Sequence, residues 1–222
     1  MIYFCCKNTK MLKTSSISTK NFFEKASKKI FIPENRKNNL LKIAKTIATT
    51  YEKNEVVNLT FICTKNSRRS QIAQVWAFFA ATYFKLNIHS FSGGFEVTSF
   101  NRSTIKTLQK AGFSFQLSDF SHQNPKYEIS FDGTKKYIIG HSKLIEHPEN
   151  PLNFIAISTC SNADVNCAYL GTKYVFQLPF EDPKNSDGTL LQEEKYMEIN
   201  KQIAGEIYFI FNEVKQKLPF LL

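Results

Sequence analysis

Several things are missing from this 222-residue chain, and each absence removes a class of protein. No apolar run approaches the ~20 residues that a bilayer-spanning helix needs, so no membrane span and no membrane partner are expected. The opening Met1-Ile2-Tyr3-Phe4-Cys5-Cys6 is apolar, but Lys7 and Lys10 follow at once. It is shorter than a secretory hydrophobic region, so no export signal is read and a cytoplasmic location is expected. Cysteines number five, an odd count that argues against a structural disulfide framework. No two cysteine pairs share a metal-ligand spacing. The four histidines, His89, His122, His141 and His147, show no pairing pattern. No Ser-His-Asp or metal-ligand set follows from them, and surface positions are expected. No internal repeat is visible, and no metal or organic cofactor is called for.

Charge of one sign is also scarce over most of the chain. The formal net charge is +10, yet residues 1–55 hold 12 Lys/Arg against 4 Asp/Glu, and the remainder holds 17 against 15. The basicity belongs to the N-terminal segment. No aromatic-basic recognition motif accompanies it, which argues against a nucleic-acid partner and for a solvated extension. The remaining thiols Cys63, Cys160 and Cys167 then become the chemically interesting groups, with Cys5 and Cys6 as bystanders.

Residues 1–35 carry Ser, Thr, Lys and Asn with little periodicity and are expected to be loosely ordered. From residue 36 to about 55, Leu40, Ile43, Ala44, Ile47 and Ala48 recur at three- and four-residue spacings, which predicts an amphipathic helix. Residues 56–222 form the expected catalytic domain. It opens on a β-rich run at 56–62. A helical stripe follows at Ile72, Val75, Trp76, Phe79, Ala80 and Tyr83. A strand is predicted near 87–91, and a helix over 102–111 capped by Gly112. A hairpin is predicted around Asp132-Gly133, with buried strands at 154–158 and 174–178. A closing helix carries Tyr196, Ile199, Ile203, Ile207, Ile210 and Val214 on one face. Alternating strands and helices imply an α/β three-layer sandwich with a mainly parallel sheet of four or five strands. Ligands in such folds bind beyond the carboxyl ends of the strands, which is where Cys63, Cys160 and Cys167 fall.

The segment Cys63-Thr64-Lys65-Asn66-Ser67-Arg68-Arg69-Ser70 joins the first strand to a helix. Strand, short loop and helix aim backbone N–H groups and a helix N-terminus at one point, which suits an oxyanion. Arg69 can add a two-pronged grip on substrate oxygens. The same positive field lowers the pKa of Cys63 and makes it a nucleophile. Two arginines at a helix N-terminus oppose the macrodipole, and a bound anion supplies a reason for them. Thr64, Lys65, Asn66, Ser67 and Arg68 are the expected substrate-binding residues.

On these residues the sequence resembles the low-molecular-weight protein tyrosine phosphatase superfamily, which includes the thioredoxin-coupled arsenate reductases. The resemblance runs from about residue 56 to the final helix. Within it, Cys63-Thr64-x-Asn66-Ser67-x-Arg69-Ser70-Gln71-x-Ala73 looks closest to the reductase branch. It implies that Cys63 is the nucleophile, Arg69 clamps the oxyanion, Ser70 hydrogen-bonds the thiolate and Asn66 props the loop. Arg68 departs from the small residue or cysteine common at that position.

Two further elements fill out the reading. Asp182, in Phe180-Glu181-Asp182-Pro183, is the candidate proton donor to a leaving oxygen, with Pro183 holding it out of helix. An Asp-Pro here is similar to the family's general-acid loop. Cys160 and Cys167, six residues apart in the C-x6-C sense, match the reductase branch's second pair of thiols. The resemblance implies a relay in which Cys63 attacks arsenic, Cys160 resolves it, and Cys167 passes the oxidation to thioredoxin. Hydrolysis of phosphotyrosine or another phosphomonoester, with Asp182 as general acid, is the alternative. An idle Cys160-Cys167 pair, or half of a zinc site, is the bland reading of the thiols.

Overall fold

A computed structural model describes residues 18–160 and 171–218. Cys5, Cys6 and Cys167 lie outside the described residues. The elements in chain order are α1 (Thr19–Lys29), α2 (Glu34–Asn54), β1 (Val57–Ile62), α3 (Arg69–Tyr83), β2 (Ile88–Gly93) and α4 (Arg102–Lys110). They continue with β3 (Phe113–Asp119), β4 (Lys126–Phe131), β5 (Ile138–Gly140), β6 (Ile155–Ser158), β7 (Tyr174–Gln177), a 3-10 turn at Pro183–Ser186 and α5 (Gln192–Lys217).

Four strands form one sheet in the order β2-β1-β6-β7, and every pairing in it is parallel. Central β1 pairs Ile62 with Gly93 on one side and with Ser158 on the other. The carboxyl ends of β2, β1 and β6 are therefore level. A second, antiparallel sheet, β3-β4-β5, stands apart from the first. A parallel bridge from Gly94 to Leu144 joins the two just past the end of β2. The expected hairpin is β4-β5. Strand β3 was not expected from the sequence: only Phe113 of its seven residues is buried, so no strand-like alternation marks it.

The core gathers on α3 and α5. Trp76, Phe61, Tyr196, Phe211, Ile43 and Ile47 are all fully buried. Helix α3 is buried on nearly all sides from Arg69 to Ala81, which is why its sequence carries no polar face. Trp76 donates from Nε1 to Asn200 Oδ1 at 2.7 Å, satisfying a donor that water does not reach.

The expectation of little order before residue 36 fails at α1. Phe22 and Phe23 stack on Trp76 with ring centroids 5.3 and 5.4 Å away, and Ala26 is buried with them. Each buried Phe is worth roughly 2–3 kcal/mol, enough to hold a short Lys-rich helix that local propensity would not. Gly205 on α5 lets α1 come close, since a Cβ there would lie 2.4 Å from Ile30 Cδ1. Helix α2 begins two residues earlier than expected and buries the predicted face, Leu40, Ile43, Ala44, Ile47 and Ala48. Arg36 on α2 makes a two-pronged ion pair with buried Glu206 on α5, at 2.6 and 2.8 Å. Both N-terminal helices therefore belong to the folded body.

Candidate active site

Cys63 is the first residue after β1, and its N–H donates to Gly93 O of β2, which fixes where the loop begins. From there the loop carbonyls are turned outward, each to a named donor. Thr64 O accepts from Phe95 N and Glu96 N, and Lys65 O from Ser142 Oγ and Thr98 Oγ1. Asn66 O accepts from Gln71 Nε2, and Ser67 O from Asn101 N. Asn66 sits at φ 44°, in the left-handed region, which reverses the chain and turns the peptide groups. Among the described residues, the N–H groups of residues 64–68 donate to no protein oxygen. Carbonyls out and N–H groups turned inward, those of Ser67 and Thr64 towards the sulfurs of Cys63 and Cys160, is the arrangement of an anion nest, and it ends on the N-terminus of α3.

Asn66 is the strut of this loop. Its Oδ1 accepts from Lys143 N at 3.0 Å and from Gln71 Nε2 at 3.2 Å, and its Nδ2 donates to Ser70 Oγ at 2.9 Å. Because Ser70 Oγ already accepts from Asn66, its own hydrogen is free for the sulfur of Cys63, 3.0 Å away. Gly94 presses on the loop from behind. A Cβ there would lie 2.7 Å from Asn66 N and 2.8 Å from Thr64 O, so no larger residue fits without moving the loop.

Cys63 and Cys160 are both buried and free. Strands β1 and β6 are neighbours in register, so the residues following them converge. Thr159 N donates to Ile62 O, and Thr64 Oγ1 lies 3.8 Å from Cys160 Sγ. The Cys63 thiol is held well below its usual pKa, first by a hydrogen bond from Cys160, against burial, and then by Ser70. Cys160 moves the opposite way, raised first by that same bond to Cys63. The sulfur at the nest carries the charge and Cys160 carries the proton.

Arg69 donates from Nη1 to Phe180 O at 2.9 Å and from Nη2 to Asp182 Oδ2 at 2.5 Å. Its Nε is buried and donates to no protein acceptor. Asp182 in turn caps the 3-10 turn by accepting from Lys184 N at Oδ1, as the Asp-Pro pair predicts. Together Cys63, Thr64, Lys65, Ser67, Arg68, Arg69, Asp182 and Lys184 enclose a pocket of about 160 Å³. Four of the eight are cations, one is a carboxylate, and none is aromatic.

Comparison with known proteins adds little at the level of sequence. No family model matches the chain, and no curated protein matches it. Among solved structures, an arsenate reductase in a phosphate-binding state is similar at 17% identity and TM-score 0.46, covering 71% of this chain and 98% of that one. A low-molecular-weight protein tyrosine phosphatase from T. tengcongensis is similar at 15% identity and TM-score 0.43, over 73% and 99%. A thioredoxin-dependent arsenate reductase from Corynebacterium glutamicum is similar at 15% identity and TM-score 0.44, over 89% and 84%. What the site can do has to come from its own geometry.

That geometry brings together Cys63, Asn66, Ser67, Arg69, Ser70, Cys160 and Asp182. Arg68 lines the same pocket, but its guanidinium is engaged elsewhere. Its Nε donates to Tyr196 OH at 2.7 Å and its Nη2 to Asp187 Oδ2 at 2.6 Å, while Tyr196 OH donates to Asp187 Oδ1 at 2.7 Å. This closed triangle gives Arg68 a reason to stand at a helix N-terminus besides a bound anion. Tyr196 and Gly94 escaped notice in the sequence, Tyr196 because it reads as one more apolar-face residue of the last helix.

The histidines also differ from expectation. His141 is buried, not at the surface, because its carbonyl accepts from Gln71 behind the loop. Its Nε2 is 2.6 Å from Glu149 Oε2, and His147 Nδ1 accepts from Glu149 N. The donor atoms of His141, His147 and Glu149 lie within 4.8 Å of one another. Lys126 Nζ holds the other Glu149 oxygen at 2.8 Å, and buried Lys143 is close enough to affect it. Two cations beside one carboxylate set this cluster against a divalent metal.

Proposed function

We propose that the chain is a cysteine-dependent oxyanion enzyme that reduces arsenate to arsenite with thiol electrons. The observation that carries this reading is a second buried free thiol, Cys160, which follows β6 where it ends level with β1 and whose Sγ lies 3.8 Å from Thr64 Oγ1 in the Cys63 loop. An oxyanion bound in the nest would accept from the inward N–H groups and from Arg69 Nε, and Asp182 would give up its hold on Arg69 to make room. The pocket's small volume and its Arg69 and Lys184 suit a small inorganic oxyanion better than an aryl phosphate, and none of the eight lining residues is aromatic.

The Cys63 thiolate attacks arsenic(V) and displaces one oxygen as water, with Asp182 at the pocket rim supplying a proton. Cys63 then no longer carries charge. The bond that kept Cys160 protonated is lost, and Arg69 favours the Cys160 thiolate. Cys160 attacks the Cys63 sulfur, the sulfur–arsenic pair of electrons passes to arsenic, and arsenite leaves a Cys63–Cys160 disulfide behind. Two electrons move, from two thiols to one arsenic. Cys167 and thioredoxin would then reopen the disulfide.

A second reading keeps Cys63, Arg69 and Ser70 and lets water finish the reaction. Asp182 on the rim of the Cys63 pocket supports it, since a carboxyl released from Arg69 by a bound oxyanion could protonate an alcohol leaving from a phosphomonoester. Cys160→Ser separates the two. Thioredoxin-coupled arsenate reduction should vanish in this variant while p-nitrophenyl phosphate hydrolysis persists, and reduction that survives would sink the relay. Cys63→Ser should abolish both.

A further inference from the structure

We infer that the cleft between β2 and β5 is a docking groove for an extended, acidic segment of a partner protein, which adds to the free edge of β2. This site is remote from the nest and does not depend on the reading of Cys63.

Strand β2 is the outer strand of its sheet. Its register on β1, with Val57 N donating to Asn87 O and Cys63 N to Gly93 O, directs the backbone groups of His89 and Phe91 to β1. The N–H and C=O of Ile88, Ser90 and Ser92 therefore face outward. At Gly94 the outward groups find the chain that follows β5: Gly94 N donates to Lys143 O, and Ile145 N donates to Gly94 O. Carried back in that parallel register, β5 runs alongside β2, but the ladder is not made. Side-chain amides stand in for it midway, Gln71 Nε2 on His141 O and Gln74 Nε2 on Ser90 O.

Farther back nothing fills the gap. A cavity of about 840 Å³ opens there, bounded by Lys85 to Phe91 on one side and Lys135 to Ile138 on the other. Among the described residues, nothing pairs with the outward N–H and C=O of Ile88. Ser90 Oγ is buried with no partner. Phe78, Leu86 and Ile138 give the cleft an apolar floor.

Charge decides the occupant. Lys85, Lys135 and Lys136 line the cleft, no Asp or Glu does, and none of the three has an ion pair among the described residues. Lysines alone can guard an edge against aggregation, but a guard needs neither a cavity nor a buried unpaired hydroxyl. An extended segment with acidic side chains supplies backbone partners for Ile88 and for the N–H of Ser90, and counter-charges for the lysines. The chain's own residues 1–17 carry Lys7, Lys10 and Lys13 and no acid, so they have the wrong sign. A second copy, at net +10, is repelled as a whole.

The test uses a fluorescein-labelled, amidated peptide of sequence Glu-Val-Glu-Ile-Glu-Val-Glu and the full chain. Saturable binding should appear by anisotropy below about 1 mM and weaken as salt rises from about 0.05 to 0.5 M. Amide exchange at Ile88 and Ser90 should slow on binding. The exposed double substitution Lys135→Glu with Lys136→Glu should weaken binding at least about tenfold without altering the thermal melt or the reactivity of Cys63. Lack of saturable binding overturns the proposal. So does equal binding of an analogue N-methylated at alternate residues, or of a uridine oligonucleotide, since either would reduce the groove to a charged patch.

Discussion

Cys160 meets the Cys63 loop at Thr64, its Sγ 3.8 Å from Thr64 Oγ1, because two neighbouring parallel strands, β1 and β6, end level with each other. The two acidities move in opposite directions, the Cys63 pKa lowered and the Cys160 pKa raised, as a hydrogen bond from the Cys160 thiol to the Cys63 sulfur would move them. A measurable consequence follows from removing that hydrogen. Cys160→Ala should raise the pKa for alkylation of Cys63 by iodoacetamide, whereas Cys160→Ser, which keeps a donor, should raise it less. Alkylation that follows the same pH curve in all three proteins would mean that Cys160 does not donate to Cys63.

Ser70 makes the same point from the other side of the sulfur. A hydrogen bond to a charged acceptor is worth about 1.5–3 kcal/mol, so Ser70→Ala should cost roughly ten- to a hundredfold in the rate of any reaction that starts from the Cys63 thiolate. The pKa for alkylation should rise with it. A rate loss with no change in that pKa would assign Ser70 a different role.

Gly94 is held by contact rather than by a special backbone angle. The atoms a Cβ would strike are backbone atoms of the loop, which cannot swing aside. Gly94→Ala should therefore displace the nest and weaken the protection that arsenate or phosphate gives Cys63 against alkylation, by about a hundredfold. The cost in thermal stability should stay near 1–3 kcal/mol. Unchanged protection would show that the loop tolerates the shift.

Arg36 and Glu206 tie α2 to α5, and Arg36 also lies 4.8 Å over the ring of Phe180, whose carbonyl holds Arg69. Arg36→Met leaves a carboxylate with its side chain 2% exposed and no counter-charge. A loss of about 3–5 kcal/mol is expected. Burial already raises the Glu206 pKa, and losing Arg36 raises it further. The folded state of the variant then binds more protons than the unfolded one, so the variant should regain stability as pH falls towards 5. Adding Glu206→Gln should recover much of the loss and remove that pH dependence.

Lys143 sits behind the loop with its pKa lowered to about 8, first by burial and then by Lys126, with Glu149 opposing. Between about pH 8 and the ordinary lysine value the unfolded chain holds more protons, so this group adds stability as pH rises. Below pH 8 it is a buried charge that costs stability. Lys143→Met should be more stable than wild type at pH 7, by up to roughly 3 kcal/mol, and the difference should close by about pH 10.5. Parallel denaturant midpoints across that range would contradict it.

Much of this protein is legible in local pattern. The strand before Cys63, the helix after it and the spacing from Cys63 to Arg69 and Ser70 all depend on neighbours in the chain, as do the Asp182-Pro183 turn and the face of α5. Short-range rules of period and turn chemistry reach that far. They do not reach α1, which owes its helix to Trp76, or β3, which is defined by its partner β4 rather than by its own alternation.

The contacts that give the site its character are longer in range. The sequence by itself determined that Cys63 begins a short loop between a strand and a helix that carries Arg69 and Ser70, because that loop is one continuous segment. Tertiary structure decided that Cys160 stands at the Cys63 loop, that Asp182 rests on Arg69, and that Arg68 turns to Asp187 and Tyr196. Each of these joins two segments that only the parallel sheet order and the packing of α5 bring together. A hydrogen bond needs atoms within about 3 Å, and no local pattern states which distant strands will lie side by side.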